Sequence, residues 1–265
     1  MSRIGPTGKV FVAMVVVVLL AGTIAWRYYH RLNRQIDPRI AQARELYGSY
    51  NTVVASHDYV AVLALLDSAD HIYSRVQHYV FSWERGVLWN NRAALCLTLA
   101  LSADSIPAAN NPFPALTPDS LIALTGVYLL NALSHYQKME EQYGGKTSRQ
   151  VEALIQSEFL QGLDHIPLPK RMNMLEARAR EIVQASAENN RRMSVCYTNL
   201  GIVSRYREDY PQAVNHYQTA LRLWDRNLEA ENNLNRLLGL PLKKRNLLQR
   251  LFPPQRKTEK TNQTP

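Results

Sequence analysis

Between Tyr197 and Leu221 the chain reads YTNLGIVSRYREDYPQAVNHYQTAL, a run in which small and large residues recur at helical spacing. Ala213, Tyr217 and Ala220 stand four and three apart, so a helix carries them on one face. Leu200-Gly201 and Tyr210 extend the same alternation of small and large residues. The pattern demands two packed helices and leaves little place for a strand. Composition agrees. Glycine numbers only 11, and Ala/Leu/Arg/Glu/Gln-rich runs dominate, which favours an all-α fold.

The N-terminus carries a different signal. VFVAMVVVVLLAGTIAW, Val10 to Trp26, has 17 residues without a charge. As a helix it spans roughly 26 Å, close to the hydrocarbon thickness of a bilayer. Lys9 and Arg27 bracket it, and Trp26, Tyr28 and Tyr29 suit the membrane–water interface. The expected layout is a basic leader (1–9) and a single transmembrane anchor (10–29). A cleaved signal peptide, cut after Thr23-Ile24-Ala25, competes with it. Arg27, Arg31, Arg34 and Arg39 after the span favour a cytoplasmic domain, whereas the signal-anchor layout favours export. The second reading makes this a bacterial inner-membrane protein facing the periplasm.

From Pro38 to about 240 a helical domain is expected. Ile40, Ala43, Leu46, Tyr47 and Tyr50 share one face, and HDYVAVLALLDSA (57–69) follows after a break. VFSWERGVLWNNRAALCLTLAL (80–101) reads as a longer helix, then SIPAANNPFPALTPDS packs four prolines into a loop. Thr117-Pro118-Asp119 is a cap, a first-turn proline and an acid beside the helix dipole. Helices are expected over 120–142, 149–163 and 172–188, with YGGKTS and HIPLPKR as breaks.

Tyr197, Leu200, Gly201, Tyr210, Ala213, Tyr217 and Ala220 together resemble the tetratricopeptide repeat, a pair of antiparallel helices in about 34 residues. Asp209-Tyr210 falls at the family's turn; Ser204 and Asp225 depart from the aromatic and the proline usual at those places. TNL at 198–200 recurs as NNL at 232–234, one period later. The clearest repeat is therefore 194–227, with a capping helix over 228–238. Ala179 marks a preceding half-repeat for which Pro167 and Pro169 exclude a regular first helix, and 57–69 resembles the second half of the motif more loosely. The resemblance implies a short solenoid whose groove holds a partner's peptide or helix. It places Asn199, Ile202, Arg205, Asn233 and Arg236 on that groove, where amides pair with a peptide unit and arginines with carboxylates. The alternative for these five is bonding to neighbouring loops and solvent; the seven repeat residues are packing positions.

No metal, cofactor or catalytic residue is expected. The histidines show no HExxH, and His71 and His78 share a face only if one helix carries both. YGGKTS lacks the spacing of a phosphate loop. Cys96 and Cys196 lie in apolar helical runs, as buried hydrophobes do. Asn90-Asn91-Arg92 is an unusual polar triplet within an apolar helix. Of the net charge of +9, most comes from 241–265, with seven basic residues and one acidic. That basic tail is expected to be solvated. The function expected is a membrane-anchored protein-interaction scaffold without nucleic-acid binding. The alternatives are lipid or nucleic-acid binding through the tail, and an enzyme with its site in 75–165.

Overall fold

The computed structural model describes residues 36–244, and among them the chain is helical with no strand. The expected anchor at 10–29 and the tail from 245 onward lie outside the described residues. No helix among the described residues is long and apolar enough to cross a membrane.

The helices are α1 (Ala41–Gly48), α2 (Tyr50–Ala55), α3 (Tyr59–Ser74), α4 (Trp83–Leu101), α5 (Pro118–Tyr143), α6 (Ser148–Leu160), α7 (Leu168–Ala187), α8 (Asn189–Tyr206), α9 (Tyr210–Leu223) and α10 (Leu228–Leu237). Local chemistry sets many of the starts. Thr117 accepts from the Ser120 N–H before α5, and Thr147 with Gln150 forms a capping box before α6. Asp58, Asp209 and Asn227 cap α3, α9 and α10 in the same way. The proline-rich stretch before α5 holds only two single 3-10 turns.

The hairpin α4–α5 is the spine. α3 packs on α4, with α1 and α2 against α3; α8 packs on α5, α9 on α8, and α10 on α9. The middle of the chain, which the sequence reading could describe only as helical, thus forms the centre of the stack. Hairpin α6–α7 stands beside it, since α7 makes few contacts with the α8 that follows it. Pro167 and Pro169, expected to exclude a regular first helix before Ala179, stand at the cap and in the first turn of α7, and the helix before them ends at Leu160. Proline's missing N–H costs nothing there, because first-turn N–H groups have no intrahelical partner. Ala179 is fully buried on α7, within a complete helical pair.

Two turns repeat in detail. His57 and Glu208 both adopt a left-handed backbone, with φ of 57° and 62°. Each is followed by the capping aspartate, then a tyrosine. Buried Val62, Leu66 and Ala69 then occupy the same offsets from Asp58 as Ala213, Tyr217 and Ala220 do from Asp209. On α5, buried Ala132, Tyr136 and Met139 keep that spacing once more. A Cβ on Gly201 would lie 2.6 Å from Tyr217 Cδ1, and one on Gly86 would lie 2.8 Å from Tyr136 Cε1. Glycine is required at both places because a tyrosine ring fills the space of its side chain.

Among the described residues three apolar clusters result. The largest joins α1, α3, α4, α5 and α8; a second lies between α6, α7 and the end of α5; a third joins α9 and α10 beneath Tyr197 and Ile202 of α8. Cys96 and Cys196 are buried free thiols.

Candidate partner-binding surface

Between the stack and the inserted hairpin runs a cleft of about 380 Å³, bordered by α1, α3, α4, α7 and α8. Tyr47, Tyr73, Trp83 and Val87 supply its apolar wall. Its charged residues Arg44, Glu84 and Glu181 are paired, Glu84 with an arginine that does not itself line the cleft. Arg44 of α1 donates to Glu181 of α7 at 2.8 Å through Nη1. Arg178, 3% exposed on α7, donates to Glu84 of α4 at 2.5 and 3.2 Å and lies 4.4 Å over the Tyr79 ring. Its Nε donates to Nε2 of buried His78 at 3.2 Å.

Burial alone would disfavour each charge. The Glu181 carboxylate nevertheless holds the Arg44 guanidinium charged well beyond its ordinary range. Burial would also raise the Glu181 pKa, but its hydrogen bond to Arg44 and the charge of Arg178 bring it down. His78 moves the other way: burial first, then the charges of Arg178 and Arg39, push its pKa down to about 2. It is neutral, and because Nε2 accepts from Arg178, its proton sits on Nδ1. These arginines and glutamates neutralise one another, so the cleft keeps a largely apolar lining without a strong net charge.

Arg192 of α8 closes the cleft, stacked 4.8 Å from the Trp83 ring and donating to the Ala185 carbonyl at 2.6 Å. Helical spacing continues from Arg192 through Val195, Asn199 and Ile202, so one stripe of α8 leads away from the cleft. Asn199 and Arg205 are half-buried, and neither makes a side-chain hydrogen bond or ion pair among the described residues. Ile202 is shared by the largest cluster and the α9–α10 cluster. On α10, Asn233 accepts from exposed Arg236 at 3.2 Å. The five expected groove residues thus lie on two helices, and none of them lines the cleft.

Of the packing residues, Gly201, Ala213, Tyr217 and Ala220 are buried, while Tyr197 and Leu200 are partly buried against the clusters. Tyr210 differs: it is 51% exposed, because it is the first residue of α9 and follows the Asp209 cap outward. The polar triplet on α4 is explained by its neighbours. Asn91 donates to the Tyr47 hydroxyl at 3.0 Å, Asn90 accepts from the Cys196 thiol, and Arg92 pairs with Asp67 and Asp70.

Sequence reasoning missed Asn227. Its Oδ1 caps α10, and its Nδ2 donates to Ser194 Oγ at 2.8 Å and Thr198 Oγ1 at 2.9 Å, pinning α10 to α8. It also missed Arg44, Glu84, Arg178 and Glu181; the available signal was ionisable residues at core-facing positions of amphipathic helices. His71 lies on α3 and His78 in a separate 3-10 turn, and no group of three or more potential metal ligands occurs among the described residues. No family model matches the chain, and neither does any curated protein or solved structure.

Proposed function

We propose that this chain is a membrane-anchored scaffold of the tetratricopeptide type, which binds a partner's peptide or helix through the open face of α8 and α10. The observation that carries the reading is the pair Asn199 and Arg205, half-buried on α8 with no partner among the described residues. Half-buried polar groups with unused hydrogen-bonding capacity gain when a ligand supplies it. An amide matches a peptide unit and a guanidinium matches a carboxylate, so an extended segment with an acidic side chain or terminus fits the pair. Ile202 between them provides an apolar contact, and Asn233 and Arg236 extend the face onto α10. The Trp83–Arg192 cleft adjoins the stripe and offers a socket for one large apolar side chain.

The anchor reading rests on residues 10–29 and their flanking arginines. Its short basic leader before the span is the signal-anchor layout, which we read as exporting the domain to the periplasmic face of a bacterial inner membrane. Digestion of a C-terminal tag by protease added to spheroplasts is the expected result; protection would move the domain to the cytoplasm.

The groove is tested by affinity purification from detergent-solubilised membranes, comparing the full chain with the double variant Asn199→Ala, Asn233→Ala. Asn199 has no side-chain bond to lose and Asn233 has one exposed bond, so helicity and melting should hold within about 0.5 kcal/mol. Partners that co-purify with the unaltered chain should disappear with the variant. The same set surviving the change would reduce the face to scaffolding.

A further inference from the structure

The end of α10 carries a second strip, and the chain itself occupies it. Gly239, with φ of 67°, reverses the backbone after α10, closed by the Leu240 N–H on the Asn235 carbonyl at 2.8 Å. Pro241 to Lys243 then run back along the helix without secondary structure of their own. Asn232 clamps Lys243 from both sides: its Nδ2 donates to the Lys243 carbonyl at 3.0 Å, and its Oδ1 accepts from the Lys243 N–H at 2.8 Å. One helical turn on, Asn235 donates to the Pro241 carbonyl at 3.1 Å. The Lys243 ammonium meets the Glu231 carboxylate at 2.6 Å, and Glu231 is only 7% exposed.

These contacts read a peptide backbone and one cationic side chain. Leu240 and Leu242 stay about half exposed, at 51% and 48%, so apolar burial does not hold the segment. A terminal segment that served only to cover α10 would turn its leucines inward. This one presents carbonyls, one N–H and one lysine, groups that another chain can present equally well.

We propose that Glu231, Asn232 and Asn235 form a recognition strip for an extended segment carrying one lysine, and that Pro241–Lys243 is its resident occupant, displaced when a partner segment of that chemistry binds. The strip is distinct from the α8 face, and no residue of the Asn199/Asn233 variant belongs to it, so either proposal can fail alone. Covalent linkage gives the resident segment an effective concentration in the millimolar range or above, which shields the strip from weak competitors. Releasing the resident should therefore expose it.

The test is a fluorescently labelled Leu-Pro-Leu-Lys-Lys peptide titrated against the full chain in detergent. Lys243→Glu sets two carboxylates against each other and loosens the resident segment while leaving the strip intact. The peptide should bind this variant at least tenfold more tightly than the unaltered chain. Adding Asn232→Ala should abolish that binding, with helical content unchanged by circular dichroism. A peptide with glutamate at its first lysine should not bind. Equal affinity for unaltered chain and Lys243→Glu, retention of binding after Asn232→Ala, or no binding to any form would overturn the proposal. Self-association through exchanged segments, seen as a dimer of the unaltered chain that Asn232→Ala dissolves, would support the strip with a second copy as donor.

Discussion

The α8–α10 end and the inserted α6–α7 hairpin are attached to the same spine by opposite means. At α8–α10 a glycine receives a tyrosine ring and alanines line the seam; the buried polar atoms are few and include the Asn227 bonds to Ser194 and Thr198. Across the cleft, α7 is joined to α1 and α4 by arginine–carboxylate pairs, with His78 bonded to the same guanidinium. The first kind of join is non-directional and roughly follows area buried. The second contributes little net stability when intact but is costly when half-removed, because the surviving charge remains buried. A packed seam should thus tolerate acid but not an added methyl group, whereas a charged seam should be sensitive to acid and to the loss of either partner.

The sharpest way to break this contrast is Arg178→Ala. It leaves Glu84 buried opposite empty space and removes the donor to His78 Nε2. The expected loss is about 3–5 kcal/mol, measured by urea or thermal unfolding. Replacing the pair together, Arg178→Met with Glu84→Leu, should recover much of it, since neither charge is then stranded. A loss below about 1 kcal/mol for the single variant would mean that α7 is held by its apolar cluster alone.

Acid probes the charged seam through His78 and the α4–α5 spine through His135. His78 is held down to about 2 by burial and then by Arg178 and Arg39. His135 is held down to about 4 by burial and then by Arg85, even though its ring donates to the Ser82 carbonyl at 3.1 Å. In the unfolded chain both histidines protonate near pH 6.5. Below that value the unfolded state binds protons that the folded state refuses, so stability is full above pH 6.5 and falls with pH. Each histidine should contribute a slope on the order of 1 kcal/mol per pH unit between pH 6.5 and 4, with His78 alone continuing below 4. Thermal melts from pH 7.5 to 4.5 should show the decline, and His78→Gln and His135→Gln should each flatten it. A level profile would show that both rings already titrate normally in the fold.

The contrast also decides what could be read in advance. The α8–α9 hairpin was legible because its glycine, alanines and tyrosine fall within 20 residues, close enough for their spacing to register as a pattern. The α4–α5 hairpin uses the same device, Gly86 under Tyr136 with Ala132 one turn earlier, but longer helices and the proline-rich connection separate the parts. That separation hides the period while leaving the geometry intact. Helix ends were legible wherever a side chain caps them, as at Thr117 and Thr147, and less so at α7, where a proline pair reads equally as a break or a start. The charged seam had only a faint signature, ionisable residues at core-facing helix positions, and nothing local pairs them. Glu84 and Arg178 are 94 residues apart, and a carboxylate on a helix looks the same whether water or a guanidinium faces it. The strip on α10 was obscured for a related reason. The basic residues after Pro241 read as a solvated tail, yet Lys243 is engaged by Glu231 and Asn232.

The finest test lies within the packed seam, where effects are smallest and their sign is informative. Glycine inside a helix costs up to about 1 kcal/mol relative to alanine, so an alanine gains that amount wherever space permits. Gly126, within α5, has no atom within 4 Å of where its Cβ would stand. Gly126→Ala should therefore stabilise the fold by about 0.5–1 kcal/mol, seen as a small rise in melting temperature. At Gly201 the same methyl group meets the Tyr217 ring, which is fully buried and cannot swing aside. Overpacking of about 1–3 kcal/mol then exceeds the propensity gain, and Gly201→Ala should lower stability by roughly 1 kcal/mol. Gly201→Ala combined with Tyr217→Leu should recover part of that loss, because the shorter side chain reopens the space. Opposite signs at the two glycines would show that the α8–α9 seam is set by ring-against-backbone fit. Stabilisation at both would mean that the seam is loose enough to absorb a methyl group, and the distinction between a shape-held end and a charge-held hairpin would fail at its packed side.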